Sequence, residues 1–142
     1  MNTSIILYGV GSPIVVDVEE TIFRLKLDIV AAVHNIDGEC YMLDRHTVCS
    51  PGELRTDLLV HPFIVPLFTP SHRQLAVREA ESLGLTSANA VIDPTVAVPR
   101  RLVVGNGTFV NVGCSLAAAS EIGRFVFINR AASIGHHNRL SD

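Results

Sequence analysis

The chain has 142 residues, of which 48% are hydrophobic and 18% are charged, and its formal net charge at pH 7 is −3. This composition favours a folded protein of one ordinary domain or two small ones and excludes a disordered chain. It also lacks the clustered basic residues of a nucleic-acid-binding surface and any apolar run near the ~20 residues that a membrane span requires.

The cysteines and the N-terminal residues favour a cytoplasmic protein. Cys40, Cys49 and Cys114 are odd in number and widely spaced, unlike the cysteines of a disulfide framework. The apolar stretch at residues 5–8 follows no basic segment and is too short for the core of a signal peptide. We therefore expect a reducing, cytoplasmic location.

The first ninety residues predict a small parallel α/β unit, because short apolar strands alternate with helices. Helical spacing of apolar residues indicates the first helix, and a glycine at a C-terminal turn position indicates where the second one ends. In chain order, the expected elements are a strand over 5–8, a helix with the apolar face Val15, Val18, Ile22 and Leu25, strands over 28–34 and 63–68, and a helix over 71–83 closed by Gly84.

The sequence "GVGSP", residues 9–13, joins the first strand to the first helix, and Ser12 is expected to cap that helix. A glycine turn entering a helix brings backbone N–H groups towards an anion, so Gly9, Gly11 and Ser12 could bind a phosphate. The dinucleotide fingerprint is incomplete, because Ile14 stands where a third glycine would be. The residues alone leave a phosphate site and a tight structural turn both open.

The segment 38–62 is the least readable part of the chain. Its Cys40, His46 and Cys49 could suggest zinc, but their spacing fits no common zinc pattern and a fourth ligand is missing. We therefore expect no metal site.

A repeat of six residues begins at Ile92. Such a spacing of aliphatic residues fits neither an α-helix nor a simple alternating strand, and it predicts short strands separated by tight turns. The nine aliphatic residues are Ile92, Val98, Val104, Val110, Leu116, Ile122, Ile128, Ile134 and Leu140. Gly or Asn follows five of them, at Gly105, Asn111, Gly123, Asn129 and Gly135, where we expect left-handed backbone.

Three hexads would complete one triangular coil of a β-solenoid, so residues 18 apart should stack. Leu116 would then lie beneath Ile134, and Asn111 beneath Asn129, with the two asparagines forming a hydrogen-bonded ladder. The small or β-branched residues four positions after most of the aliphatic residues would face inward. They are Val96, Thr108, Cys114, Ser120, Val126 and Ala132.

The charge balance changes sign near the start of this repeat. Residues 1–90 carry six basic and eleven acidic side chains, whereas residues 91–142 carry five and three. Together with the repeat, this change indicates a boundary between two domains.

The hexad pattern and the phrase "FVFINRAASIGHHN", residues 125–138, resemble a known family. They are similar to the hexapeptide-repeat sugar acetyltransferases of the sialic-acid O-acetyltransferase type and the related nucleotide-aminosugar N-acetyltransferases. The resemblance implies an α/β plus β-solenoid fold. A Rossmann-like parallel α/β domain that binds a nucleotide sugar would span 1–88, and a left-handed parallel β-helix, incomplete at its C-terminus, would span 89–142.

The resemblance also implies a site for transfer from acetyl-CoA to a sugar or nucleotide-sugar acceptor. His136, in the Ile-Gly-His phrase, would be the general base for direct attack on the thioester. His137 stands where the similar enzymes usually carry Asp or Glu, and it would orient His136. Substrate-binding residues would be Gly9, Gly11 and Ser12 for the sugar nucleotide and Asn35 and Asp37 for its ribose or base. Spacing alone leaves open that both histidines are solvated turn residues.

The resemblance further implies a homotrimer that binds coenzyme A and takes part in polysaccharide or glycan precursor synthesis. The similar enzymes continue for several more coils, so we expect this chain to be a fragment. The alternative function is a truncated, non-catalytic module that binds a sugar nucleotide or a partner. The replacement of a loop histidine by Ser12-Pro13, and of an acid by His137, favours that alternative.

Overall fold

The computed structural model describes residues 3–142 and divides the chain into two compact units, Met1–Ala88 and Asn89–Asp142. Within residues 3–142, no helix is long and apolar enough to cross a membrane. The same residues contain no group of three or more His, Cys, Asp or Glu side chains that could hold a metal ion.

A four-stranded parallel sheet forms the centre of the first unit. The elements of this unit, in chain order, are β1 (Ser4–Tyr8), α1 (Val15–Arg24), β2 (Asp28–Val33), β3 (Val48–Cys49), β4 (Phe63–Ile64) and α2 (Pro70–Ser82), with 3-10 turns at Pro51–Glu53 and Thr56–Val60. The strand order is β3-β2-β1-β4. The chain therefore moves outward from β1 to β3 and then returns to the other side of β1. This reversal creates a topological switch point between β1 and β4, where loops diverge and leave a crevice.

The strand predicted over 63–68 is shorter than expected, because β4 ends at Ile64. Pro66 has no N–H to donate to a strand ladder, which explains the early end. The chain nevertheless stays buried as far as Leu67. The chain therefore ends its pairing with the sheet at Ile64 but remains in the core for three more residues. The loop after β4 then reaches the crevice.

The start of α1 shows that the predicted Ser12 cap is wrong. The helix begins at Val15 with Ile14 as its N-cap residue, and no side chain caps it. The Ser12 carbonyl instead accepts the Val15 N–H at 3.1 Å, a tighter turn than an α-helical one. Gly9, at φ +92°, directs the chain into this extra turn. The Ser12 side chain is consequently not used to start the helix.

The remaining helix predictions are confirmed. The apolar face of α1 is buried, apart from the half-buried Leu25. Gly84 follows α2 at φ +94°, and its N–H donates to the Glu81 carbonyl at 3.0 Å. The Leu85 N–H donates to the Ala80 carbonyl at 3.1 Å, which completes a Schellman motif. The glycine is needed here because the motif requires left-handed backbone.

The second unit is a parallel β-helix. Its strands are β5 (Val91–Ile92), β6 (Leu102–Val104), β7 (Phe109–Val110), β8 (Ser115–Leu116), β9 (Ser120–Ile122), β10 (Phe127–Ile128), β11 (Ser133–Ile134) and β12 (Arg139–Leu140). They form three parallel sheets, in the orders β10-β7-β5, β11-β8 and β12-β9-β6. Paired residues lie 18 positions apart, as in Leu116 with Ile134, so the predicted coil of three hexads is confirmed.

Inward-facing aliphatic residues of the hexads build the core of the β-helix, together with smaller inward residues. Val98 is the exception, since it is 53% exposed and belongs to no strand. Pro99 follows it and interrupts the corresponding side of the first coil. The buried members of the core are Val96, Val110, Cys114, Leu116, Ile122 and Ile128.

The left-handed residues do not lie at the predicted Gly and Asn positions. They lie two positions later, where φ is between 52° and 75° at Gly107, Gly113, Ala119, Phe125, Ala131 and His137. The glycines that directly follow the aliphatic residues have a different role. A Cβ on Gly105 would lie 2.5 Å from the backbone of Gly123, the residue one coil further on. Close approach of successive coils therefore excludes a side chain there.

Buried polar groups link successive coils. The Asn111 Nδ2 donates to the Asn129 Oδ1 at 3.4 Å, so the predicted asparagine ladder is confirmed. Thr108, Cys114 and Ser120 each donate to the carbonyl oxygen fifteen residues later. These three side chains thereby bond to turn carbonyls of the next coil and link the coils through the interior of the solenoid.

Candidate functional site

Two adjacent histidines occupy a corner between β11 and β12. His136 and His137 are exposed, their Nδ1 atoms lie 2.8 Å apart, and their ring planes are perpendicular. His137 is itself the left-handed residue of this corner, with φ +55°. The hexad spacing predicted the corner position, whereas the contact between the two rings was not readable from it.

The Nδ1–Nδ1 contact restricts the protonation of the pair. A neutral imidazole has one N–H donor and one acceptor nitrogen. A hydrogen bond between the two Nδ1 atoms therefore requires one of them to carry hydrogen and the other to lack it. The neutral histidine whose Nδ1 donates keeps a bare Nε2, which can accept a proton. The contact therefore fixes opposite protonation of the two Nδ1 atoms when both imidazoles are neutral.

Small residues lie beneath this corner. Ala118 and Ala119 occupy the equivalent positions one coil below, both are exposed, and the Ala119 N–H donates to the Arg101 carbonyl at 2.6 Å. Among residues 3–142, no carboxylate bonds to either imidazole, and Arg139 pairs with Glu121 at 3.7 Å. The corner therefore combines two imidazoles and an open surface, without a fixed negative charge.

A cavity of about 410 Å³ opens at the switch point of the first unit. This volume lies within the range of small-molecule sites, and the crevice at the carboxyl ends of parallel strands is where such sites usually form. The cavity is built from the loops after β1, β2 and β4 and one face of α2. Its lining residues are Gly11, Ser12, Pro13, Asn35, Ile36, Leu67, Phe68, Thr69, His72, Leu75 and Glu79.

Asn35 and Glu79 form the polar end of this cavity. The Asn35 Nδ2 donates to the Glu79 Oε2 at 3.2 Å, and the Asn35 Oδ1 is buried without a partner. Burial and the neighbouring Glu79 carboxylate raise the pKa of Tyr8, whose hydroxyl is also buried and makes no well-aligned hydrogen bond. Tyr8 therefore remains a neutral phenol at physiological pH, and Glu79 is the one carboxylate that lines the cavity.

Three of the five predicted substrate-binding residues line the cavity: Gly11, Ser12 and Asn35. Gly9 lies behind the loop, where a Cβ would approach a leucine side chain to 2.9 Å, so this glycine permits close packing. Asp37 is exposed and lies outside the lining. The loop after β1 and the loop after β2 therefore meet in one place, as parallel strand ends should.

Sequence reasoning missed Thr69, His72 and Glu79, which form the third wall of the cavity from the start and the last turn of α2. The sequence predicted a helix over 71–83. It did not indicate which strands of the sheet this helix would lie beside. Only the strand order, with β4 beside β1, places this helix opposite the glycine loop.

Solved structures match nearly the whole chain. The acetyltransferase domain of PglB from Neisseria gonorrhoeae FA1090, in complex with acetyl coenzyme A, matches with a TM-score of 0.79 and 20% identity, covering 99% of this chain and 68% of that chain. PerB from Caulobacter crescentus, in complex with CoA and GDP-perosamine, matches with a TM-score of 0.76 and 23% identity, covering 96% of this chain and 64% of that chain. The chain has the fold of these acetyltransferases. No family model and no curated protein matches the sequence.

Proposed function

We propose that this chain belongs to an acetyl-CoA-dependent acetyltransferase that modifies the sugar of a nucleotide sugar, with His136 as the general base. The observation that carries the proposal is the imidazole pair on a β-helix corner, in a fold shared with acetyltransferases that were solved with acetyl-CoA or CoA. An exposed imidazole with a bare Nε2 can accept a proton from an attacking amine or hydroxyl. On this proposal the β-helix is left-handed, as the resemblance implies.

The proposed acceptor site is the cavity of the first unit. PerB was solved with GDP-perosamine, which supports a nucleotide sugar as the acceptor class for this fold. The Gly11–Ser12 loop and Thr69, the N-cap residue of α2, offer backbone N–H groups for a diphosphate. The cavity thereby supports the Rossmann-like, nucleotide-binding role proposed for the first unit. Asn35 and Asp37 remain the proposed contacts for the ribose or base.

The proposed mechanism is direct attack of a sugar amine or hydroxyl on the thioester carbonyl of acetyl-CoA. As the new bond forms, His136 Nε2 takes the proton of the attacking group, and the proton then passes to the departing thiolate. His137 Nδ1 would accept the Nδ1–H of His136 and hold it in the required tautomer. Backbone N–H groups would stabilise the oxyanion.

A second candidate function is a nucleotide-sugar-binding module without transferase activity. Two observations favour it: the cavity is complete within the first unit, and the partner of His136 is an imidazole rather than an acid. The two candidates differ in whether the chain also binds coenzyme A. Calorimetry with nucleotide sugars and with coenzyme A therefore separates them.

We further propose that the functional protein is a cytoplasmic homotrimer that acts on glycan or polysaccharide precursors. The support is the resemblance of residues 89–142 to the hexapeptide-repeat enzymes, which share sites between neighbouring β-helices. Sedimentation of the 142-residue chain, with and without coenzyme A, tests the oligomeric state.

The decisive experiment measures acetyl transfer from acetyl-CoA to a panel of nucleotide aminosugars and to sialic acid. We expect the His136→Asn variant to lower kcat/KM by about 10²–10⁴-fold, the usual contribution of a general base. His46→Asn, which changes another exposed histidine, serves as the control and should leave the rate unchanged. A His136→Asn variant with the wild-type rate would remove the assignment.

A further inference from the structure

The polar end of the cavity presents donors and acceptors in a fixed order. Of the two Asn35 Nδ2 hydrogens, one is used by Glu79 Oε2, and the Asn35 Oδ1 is buried. Glu79 accepts this bond and has no Lys or Arg among the residues that line the cavity. A ligand that reaches this end therefore meets one amide N–H followed by the two oxygens of a carboxylate.

Glu79 is placed so that it can accept further hydrogen bonds from a ligand. The carboxylate is half-buried beside Leu67 and Leu75, and a charged group in an apolar setting is costly unless donors surround it. Tyr8, buried behind it, is a neutral phenol, so no second negative charge competes for those donors. The carboxylate can accept two parallel N–H groups at once.

The Watson–Crick edges of the nucleobases differ in how they fit this order. Guanine presents O6, N1–H and the N2 amine in a row, which is an acceptor followed by two donors. Uracil presents an acceptor, a donor and an acceptor, so one of its carbonyl oxygens would face a Glu79 oxygen. Cytosine has an acceptor at its central N3, and adenine fills only two of the three positions. Guanine alone matches all three partners.

We propose that the nucleotide read by this cavity is a guanosine diphosphate derivative, with Asn35 Nδ2 donating to O6 and Glu79 accepting from N1–H and the N2 amine. This inference rests on the proposed function, because it takes the cavity to hold the nucleotide part of the acceptor. It adds the identity of the base and the two side chains that determine it.

The rest of the cavity suits the other parts of such a ligand. Ile36 and Leu67 provide apolar walls for a planar base, and Phe68 is exposed beside them. The opposite end contains Ser12, Thr69 and other neutral donors near helix starts, where a diphosphate is favoured.

The loop after β4 is held in place from below. The Arg73 Nη1 donates to the carbonyls of Leu67 and Phe68, at 2.9 and 3.0 Å. The apolar wall is thus fixed before a ligand binds, and preorganisation of this kind increases affinity and selectivity.

The test compares the binding of GDP, inosine diphosphate and UDP to the 142-residue chain by calorimetry. We expect GDP to bind about 10- to 100-fold more tightly than UDP, the range that one bidentate base contact provides. Inosine diphosphate lacks only the N2 amine, so it should bind about 10-fold more weakly than GDP because one Glu79 oxygen loses its donor. This comparison requires no variant, so it does not depend on the folding of a mutant.

The matched variant is Glu79→Gln, which keeps the shape of the side chain and replaces one acceptor by a donor. It should weaken GDP binding by about 10- to 100-fold, strengthen UDP binding because the new amide N–H can donate to the uracil carbonyl that faced a Glu79 oxygen, and abolish the preference for GDP over inosine diphosphate. Glu81→Gln, an exposed position of the same helix, is the control and should change none of these affinities. Circular dichroism checks that both variants are folded.

Three results would overturn the base assignment. They are tighter binding of UDP than of GDP, equal binding of GDP and inosine diphosphate, and an equal loss for all nucleotides in Glu79→Gln, which would indicate a merely structural residue. Each of these leaves the nucleotide site itself standing. Absence of binding for all three nucleotides would instead overturn the acceptor class in the proposed function, and this inference with it.

Discussion

The two units place their important side chains by different physical means. In the β-helix, each position of a coil is set by a six-residue spacing, so Leu116 and Ile134 pair because they lie 18 residues apart. In the α/β unit, Ser12, Asn35 and Glu79 share no spacing, and Glu79 joins the other two only because β4 returns beside β1. A stacked repeat is therefore readable along the chain, whereas a cavity at a switch point depends on strand order.

The largest stability effect should come from an interior hexad residue. Ile122 is 2% exposed in the central strand of its sheet, so Ile122→Ala should lower the free energy of unfolding by about 2–5 kcal/mol through lost burial and a cavity. Val98 occupies the same hexad position but is 53% exposed, and Val98→Ala should change stability by no more than about 0.5 kcal/mol. Urea unfolding measures the free energy of unfolding of both variants. Equal losses would show that Val98 is buried in solution and that the first coil is not interrupted there.

A smaller effect should separate the two kinds of glycine in the β-helix. Gly105→Ala places a Cβ 2.5 Å from the Gly123 backbone, so the coils must move apart, at a cost of about 1–3 kcal/mol. Gly113 has open space around it but a φ of +71°, and Gly113→Ala should cost only the left-handed strain of about 1 kcal/mol.

Gly52→Ala is the control for both substitutions, since this glycine has open space and no positive φ. Its stability should match the wild type within about 0.5 kcal/mol. If Gly113→Ala costs more than Gly105→Ala, backbone conformation rather than coil contact determines where glycine is needed.

The sequence predicted the fold where the physical cause is local and repeated. Nine aliphatic residues at one spacing predicted the coil, and the Asn111–Asn129 bond followed from the same period. The left-handed positions were predicted two residues early, because Gly105 and its equivalents can be required either by φ or by close contact. A sequence does not distinguish those two requirements, since glycine satisfies both.

The site was predictable in part for the same reason. Each strand end contributes its own local residues, so Gly11, Ser12 and Asn35 could be expected near a ligand. Glu79 lies in the last turn of a helix with no motif around it, and its place in the cavity depends on which face of α2 meets the sheet. The histidine corner shows the same limit, because the spacing gives the corner and not the contact between the rings.

The segment 38–62 could not be assigned from the sequence. It contains a turn at Ser50 and Glu53, which permits the prediction with the smallest expected effect on stability. Glu53 Oε2 accepts the Ser50 N–H at 2.8 Å, and this backbone bond together with the Ser50 side chain lowers the pKa of Glu53. Because the folded pKa is below the unfolded one, the stabilisation is complete above the ordinary glutamate pKa of about 4.3 and is lost as the pH falls through the folded value. Glu53 is fully exposed, so solvent screening keeps the effect small.

Glu53→Gln should therefore be slightly less stable than the wild type at pH 7, and the two proteins should converge as the pH falls through the folded pKa of Glu53 and the wild-type carboxyl is protonated. Urea midpoints of the two proteins across this range measure the difference. Glu39→Gln, another exposed carboxylate of the first unit, should show no such convergence. A constant gap between Glu53→Gln and the wild type at every pH would mean that the shape of the side chain, and not its charge, closes the turn at Pro51–Glu53.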